Sequence, residues 1–89
     1  MSEPLELIVQ ATPNPNAIKV TLNREVSAQG TTYHDAASAE AEWAKQLLSI
    51  SGVTQVFSLH NFVSVNKSAG ADWQVLESQI EQVLRRAFA

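Results

Sequence analysis

Val53-Thr54-Gln55-Val56-Phe57-Ser58-Leu59-His60-Asn61-Phe62-Val63-Ser64-Val65-Asn66-Lys67 is the stretch from which the fold is read. Two β-rich runs, Val53 to Leu59 and Phe62 to Asn66, are separated by His60-Asn61, the spacing of a tight hairpin. Asn tolerates left-handed geometry, so Asn61 is expected to carry the positive φ of the turn. Just before the hairpin, Gly52 sits where a left-handed helix stop belongs. The helix it would stop begins near Asp35. There Ala37, Ala41, Ala44 and Leu48, with Trp43, Leu47 and Ile50 one position along, recur at three and four, and Asp35 or Ser38 supplies the cap. After the hairpin, the small polar run Lys67 to Ala71 is a loop. Asp72 then caps a closing helix whose stripe is Trp73, Leu76, Ile80, Val83, Leu84 and Phe88, and Arg85 and Arg86 complement its negative end.

Upstream the chain reads as strands. Leu5, Leu7 and Val9 alternate with Glu6, Ile8 and Gln10, a period of two that marks a strand buried more on one face. Thr12-Pro13-Asn14-Pro15-Asn16 is a connection, because proline removes donors and fixes φ. A second strand carries Ile18, Val20 and Leu22 on one face and Lys19 and Thr21 on the other, and should pair with the first. Thr31 to His34 has the β-branched and aromatic character of a short third strand. The expected fold is α+β in the order ββ(β)αββα, a two-layer sandwich with both helices on one face of a small sheet, since two amphipathic helices each need a sheet face to cover. The other face would hold Lys19, Thr21, Gln55, Ser64 and Asn66, with Phe57 or Leu59 joining them according to register.

Composition narrows the function. Eighty-nine residues make one domain, spanning 1–89, and 45% hydrophobic residues suit a folded chain. No cysteine is present, so the chain cannot supply thiolates for a disulfide, a zinc site or an iron–sulfur cluster. Six basic residues against nine acidic ones give a net charge of −3. The basic residues are scattered, which argues against nucleic acid as a partner. The opening Met1-Ser2-Glu3-Pro4 has no leader pattern and no apolar run is long enough to span a bilayer, so no membrane partner and a cytoplasmic location are expected.

Few motifs suggest chemistry. His34, Asp35 and His60 are too far apart in sequence to make a metal site with converging ligands, and read as surface residues. Glu40 and Glu42 lie on opposite sides of a helix and form a solvated face. No nucleophile elbow and no glycine-rich phosphate loop is visible. The Pro-Asn-Pro-Asn run is either a preorganised recognition loop or a connection whose polar groups satisfy its own backbone. Trp43, Trp73, Phe57 and Phe62 occupy apolar periodic positions and are expected in the core. Phe62, just after the turn, is the exception that could project beside His60 and Lys67 as a contact patch.

These segments together resemble the amino-terminal domain of the Nfu/NifU-type iron–sulfur scaffold family, over about residues 6–88. The family's Thr-Pro-Asn-Pro-Asn-Ala connection followed by an aliphatic-Lys pair is similar to Thr12 through Lys19. Its helix ending Leu-Phe-x-Ile-x-Gly-Val is matched by Leu47-Leu48-Ser49-Ile50-Ser51-Gly52-Val53 with one exchange. Val56-Phe57, Asn61-Phe62-Val63-Ser64-Val65-Asn66-Lys67 and Trp73 match its later strands and last helix. Two places depart. Ala41-Glu42 stands where the family tends to have Ser-Pro, so the middle helix should begin earlier. Leu59-His60-Asn61 replaces Gly-Pro-Asp, which removes a carboxylate. The Cys-x-x-Cys half of the family is absent from the sequence.

The resemblance implies a non-enzymatic interaction module linked to iron–sulfur cluster assembly or delivery. It would bind no cofactor and no metal itself and engage a cysteine-bearing scaffold, carrier or client protein. Its expected contact residues are Asn14, Asn16, Lys19, His60, Asn61, Phe62 and Lys67. The alternative is a small-ligand-binding domain or minor enzyme with a pocket between the sheet and the middle helix.

Overall fold

A computed structural model describes residues 4–88. The reading of Met1-Ser2-Glu3 lies outside them. Five strands and two helices follow in the order β1 (Leu7–Ala11), β2 (Ala17–Leu22), β3 (Ser27–Tyr33), α1 (Glu42–Leu48), β4 (Val53–His60), β5 (Phe62–Lys67) and α2 (Trp73–Phe88). The strands form one antiparallel sheet in the order β1-β2-β5-β4-β3. This is the expected α+β sandwich, with a third strand that starts four residues before Thr31.

The pairing explains the layers. Val20 lies opposite both Val9 and Val63, and Val65 opposite Ile18 and Val56, so the branched residues of neighbouring strands share a face. Against that face pack Leu47 of α1 and Leu76, Ile80 and Leu84 of α2, in one buried cluster with Ile18, Val20, Leu22, Val56, Val63 and Val65. Both helices therefore cover the same side. An aromatic chain ties the layers at one end, where Trp43 lies 5.8 Å from Tyr33 and 5.7 Å from Phe88 between ring centroids.

Three local expectations change. The middle helix does not reach back to Asp35 but starts at Glu42, after the non-helical Ala41 at φ −81° and ψ 129°. Asp35 and Ser38 spend their polar groups on a local turn instead. The Ala37 N–H donates to Asp35 Oδ1 at 3.1 Å and the Ser38 hydroxyl to the Asp35 carbonyl at 3.2 Å, so neither caps α1. The departure at Ala41-Glu42 thus shortens the helix rather than extending it. In the hairpin turn the positive φ, 52°, belongs to His60 and not to Asn61. Asn61 is held from outside the turn: its carbonyl accepts from Leu22 N–H at 2.7 Å and its side-chain amide donates to the Leu22 carbonyl at 3.3 Å. The carbonyl of His60 accepts from Val26 N–H at 2.6 Å, so both turn residues are fixed from outside the hairpin.

Asp72 behaves as read, but Gly52 does not stop α1, which ends at Leu48 with Ser49 as its C-cap; Gly52 lies in the following turn, where Val53 N–H donates to the Ile50 carbonyl at 3.1 Å. Gly52 has φ +101°, a backbone only glycine adopts without strain. Asp72 Oδ1 accepts from Gln74 N–H at 2.9 Å and so caps α2. Among the described residues no helix is long and apolar enough to cross a membrane.

Candidate functional site

The face of the sheet turned away from the helices carries the side chains that alternate with the core positions. Thr21 and Leu59 lie opposite Phe62, while Ser64 lies opposite Lys19 and Phe57. Phe57 and Phe62 therefore belong to this open face and not to the core, which is the register alternative given for Phe57 and the exception given for Phe62. Their centroids are 6.0 Å apart with planes tilted by 44°, and the Lys19 ammonium lies 4.7 Å from the centroid of Phe62. The register places Phe62 beside Lys19, whereas Lys67 lies at the far end of the same strand, about 17 Å away at the rise of a strand. Ile8, across β1 and β2 from Phe62, is 57% exposed and extends the apolar part of the patch.

Such a surface suits contact with another macromolecule. Two half-buried aromatic rings offer area with little rotamer entropy to lose. A lysine over the ring adds a cation–π contact, and its ammonium remains free to meet a carboxylate or a carbonyl. Polar Thr21, Ser64, Asn66 and Gln55 surround the rings, the arrangement of an apolar centre and a polar rim.

Asn14, Asn16 and Lys67 form a second group, at one end of the sheet. The Asn14 side chain is used within its own connection: Oδ1 accepts from Asn16 N–H at 2.9 Å, and the Asn14 backbone bonds Thr12 Oγ1 and Ala17 N–H. Of the two readings of the Pro-Asn-Pro-Asn run, this is the self-satisfied connection. Asn16 differs. Its Oδ1 accepts from Lys67 Nζ at 3.0 Å, and its carbonyl accepts from Lys67 N–H at 2.8 Å. Lys67 Nζ also stands 5.6 Å from the ring centroid of Trp73, whose indole N–H donates to the Pro15 carbonyl at 3.0 Å. Trp73 is thus the residue of this corner that the contact set omits. Its place at the start of a helix, one turn from a core leucine, made it look like packing alone.

His60 and Asn61 are exposed at the opposite end of the hairpin. The seven expected contact residues therefore spread along the sheet: Asn14, Asn16 and Lys67 at one end, Lys19 mid-strand on the open face, and Phe62 at the other end, directly after the exposed turn residues His60 and Asn61. Lys19 and Phe62 belong to the β2–β5 ladder, and the Lys67 N–H bond to the Asn16 carbonyl continues it by one step. Among the described residues no group of three or more His, Asp and Glu side chains could hold a metal ion. The interface between α1 and the sheet, where the alternative function needs a pocket, is filled by Ala44 and Leu47, both at 0% exposure.

The sequence model of the family described as the N-terminal part of scaffold protein Nfu/NifU matches residues 7–89. Conserved virulence factor C of Staphylococcus aureus (strain bovine RF122 / ET3-1) is 40% identical over 77 residues, which is 84% of this chain and 20% of that protein. The NFU1 iron-sulfur cluster scaffold homolog, mitochondrial, of Drosophila simulans is 31% identical over 83 residues, 90% of this chain and 29% of that one. The chain thus spans less than a third of the length of either relative. In three dimensions the crystal structure of Staphylococcus aureus protein SAV1430 superposes with a TM-score of 0.80 at 27% identity, covering 89% of this chain and 98% of the other. A solution structure of a Staphylococcus epidermidis protein gives 0.61 at 33% identity, with 91% and 96% coverage.

Proposed function

This chain belongs to the Nfu/NifU N-terminal family, and from that premise we propose that its 89 residues act as one domain, a non-catalytic accessory module of iron–sulfur cluster assembly or delivery in the cytoplasm. The cluster is held by a cysteine-bearing partner: a scaffold, carrier or client apoprotein. The family relation supports the link to iron–sulfur biology. The observation that carries the accessory role is the open sheet face, where Phe57 and Phe62 are presented with Lys19 Nζ at 4.7 Å from a ring by a chain that has no thiolate of its own.

The mechanism is one of positioning. A partner loop bearing a cluster or its ligand cysteines would seat an apolar residue on the Phe57–Phe62 pair, with Lys19 meeting the negative charge that thiolate ligands bring to a cluster site. The central position of β5 keeps that surface rigid, because Phe62 is held by ladders on both sides. Asn16, Lys67 and Trp73 extend the surface at one end.

Titration of the purified chain with an apo Cys-x-x-Cys scaffold domain, followed by calorimetry, tests the reading. Binding is expected, and Lys19→Glu together with Phe62→Ala should weaken it by about 2 kcal/mol or more, the scale of interface hot spots. Iron plus sulfide added to the chain alone should give no visible charge-transfer absorption. A stable coloured form, or equal binding by wild type and double variant, would remove the proposal.

A further inference from the structure

The sheet has two edges, β1 and β3, and they differ. Along β3 the register with β4 shifts between Ser27 and Thr31, and the Ser27 and Thr31 hydroxyls both donate to the Gln29 carbonyl, at 2.7 and 3.2 Å. An irregularity of that kind bends an edge and stops it from pairing further. By contrast β1, Leu-Ile-Val-Gln-Ala, pairs with β2 at every residue and contains no charge and no proline.

The direction of its amide groups follows from its ends. The Glu6 carbonyl accepts from Asn23 N–H at 3.3 Å on the β2 side, while Leu22 N–H turns away to Asn61 at 2.7 Å. Alternate residues of an antiparallel strand aim their amide groups to the same side. Ile8 and Gln10 therefore bond β2, and Leu7, Val9 and Ala11 direct their N–H and C=O groups outward.

Helix α2 runs beside this edge from end to end. Its first residue reaches Pro15 through the indole, at 3.0 Å, and Arg85 reaches the Leu5 carbonyl at 3.4 Å. Trp73, Glu77, Glu81 and Arg85 are spaced by four and so share one helix face. Between that face and β1 lies a cleft of about 210 Å³ whose lining includes Val9, Ala11, Ile18, Trp73 and Glu77.

We propose that the β1 edge and the Trp73–Glu77–Glu81 face of α2 bind an extended basic segment of a partner protein as a sixth strand. The outward groups of Leu7, Val9 and Ala11 pair with its backbone, as in other cases of strand addition. Its residues opposite Val9 point, like Val9, to the helix side. Two such side chains, two residues apart, are separated by about 6.6 Å, and Glu77 and Glu81 by a helical rise of about 6 Å. A basic-x-basic pair therefore meets both carboxylates, with an alkyl stem against Trp73. A second copy of this chain fits poorly. An antiparallel β1–β1 contact centred on Val9 would bring Glu77 and Glu81 of both copies together, and like charges repel. The inference is independent of the role given to the open face, since it uses the edge and the helix.

The probe is a short fluorescein-labelled peptide of alternating lysine and valine. One control replaces lysine with glutamate, and another N-methylates the lysine amides, which removes the donors that face Leu7, Val9 and Ala11. Anisotropy should show saturable binding for the first peptide alone, with amide shifts at Leu7 to Ala11 and at Glu77. Glu77→Gln with Glu81→Gln should weaken it by about tenfold, as expected for two partly exposed ion pairs. Val9→Pro removes an outward N–H while leaving the β2 ladder intact, and should abolish it. Absence of saturable binding, equal binding of the N-methylated peptide, or shifts confined to Lys19 and Phe62 would overturn the proposal. So would a concentration-dependent dimer that Val9→Pro dissolves, which would assign the edge to a second copy. If Val9→Pro fails to fold, the glutamine pair and the N-methylated peptide still decide.

Discussion

Replacing Gly52 by alanine should be among the most damaging single-methyl changes in this chain. Two independent terms act. At φ +101° an L-residue is forced into left-handed backbone, at about 1–2 kcal/mol. The added Cβ would stand 2.9 Å from the Cβ of Ala71, and Ala71 has no flexible end to swing aside, so the loop before α2 must shift, at about 1–3 kcal/mol. Together they amount to about 2–5 kcal/mol, a substantial part of what holds a small domain folded. In temperature this is a fall in Tm of about 8 °C or more. Urea unfolding followed by Trp43 and Trp73 fluorescence measures it. Two further variants separate the terms. Gly70, where nothing lies within 4 Å of the added carbon, should accept alanine without loss. Adding Ala71→Gly to Gly52→Ala should recover the steric share and leave the backbone share, a coupling readable in a double-mutant cycle. If Gly52→Ala matches Gly70→Ala in stability, or the double variant is no better than the sum of its parts, the reasoning fails.

Three other outcomes are expected. Ser58 is fully buried and its Oγ has no hydrogen-bond partner among the described residues, so Ser58→Ala should stabilise the fold by about 1 kcal/mol in the same urea assay. Asp72→Ala removes the cap on Gln74 N–H and should destabilise by about 1 kcal/mol, with the loss seen as faster hydrogen exchange in the first turn of α2. Trp73→Phe retains a ring near Lys67 but loses the bond to the Pro15 carbonyl. It should lower stability by about 1 kcal/mol and broaden the amide signals of residues 12–16.

What could be read from the sequence was local and periodic. The alternation in Phe62 to Lys67, the two-residue turn, the Trp73–Phe88 stripe and the Asp72 cap each depend on near neighbours, and each appears in the structure. What could not be read depends on distant partners. Ser27 to Gly30 have little strand character of their own, and Ser27 joins the ladder because His60 lies opposite it. The positive φ falls on His60 because Leu22 and Val26 hold the turn carbonyls. Helix α1 loses its first turns because Asp35 satisfies backbone groups locally. The fate of Phe57 and Phe62 was a question of register. Once Ser64 is opposite both Lys19 and Phe57, the rings must leave the core and meet the lysine, a pairing that sequence separation concealed.

The strand order β1-β2-β5-β4-β3 has a consequence for how the molecule is made. The middle of the sheet is supplied by β5, which leaves the ribosome after all four strands it has to join. Until residues 62–67 emerge, the nascent chain has one early hairpin, β1–β2, and a separate unit of β3, α1 and β4, with nothing to join them. Their inner rims are bare backbone, the condition in which chains mispair. Joining them requires closing loops of about 45 residues between Val20 and Val63, a step that slows folding. A truncation ahead of Phe62 would therefore yield two halves of a sheet and no domain.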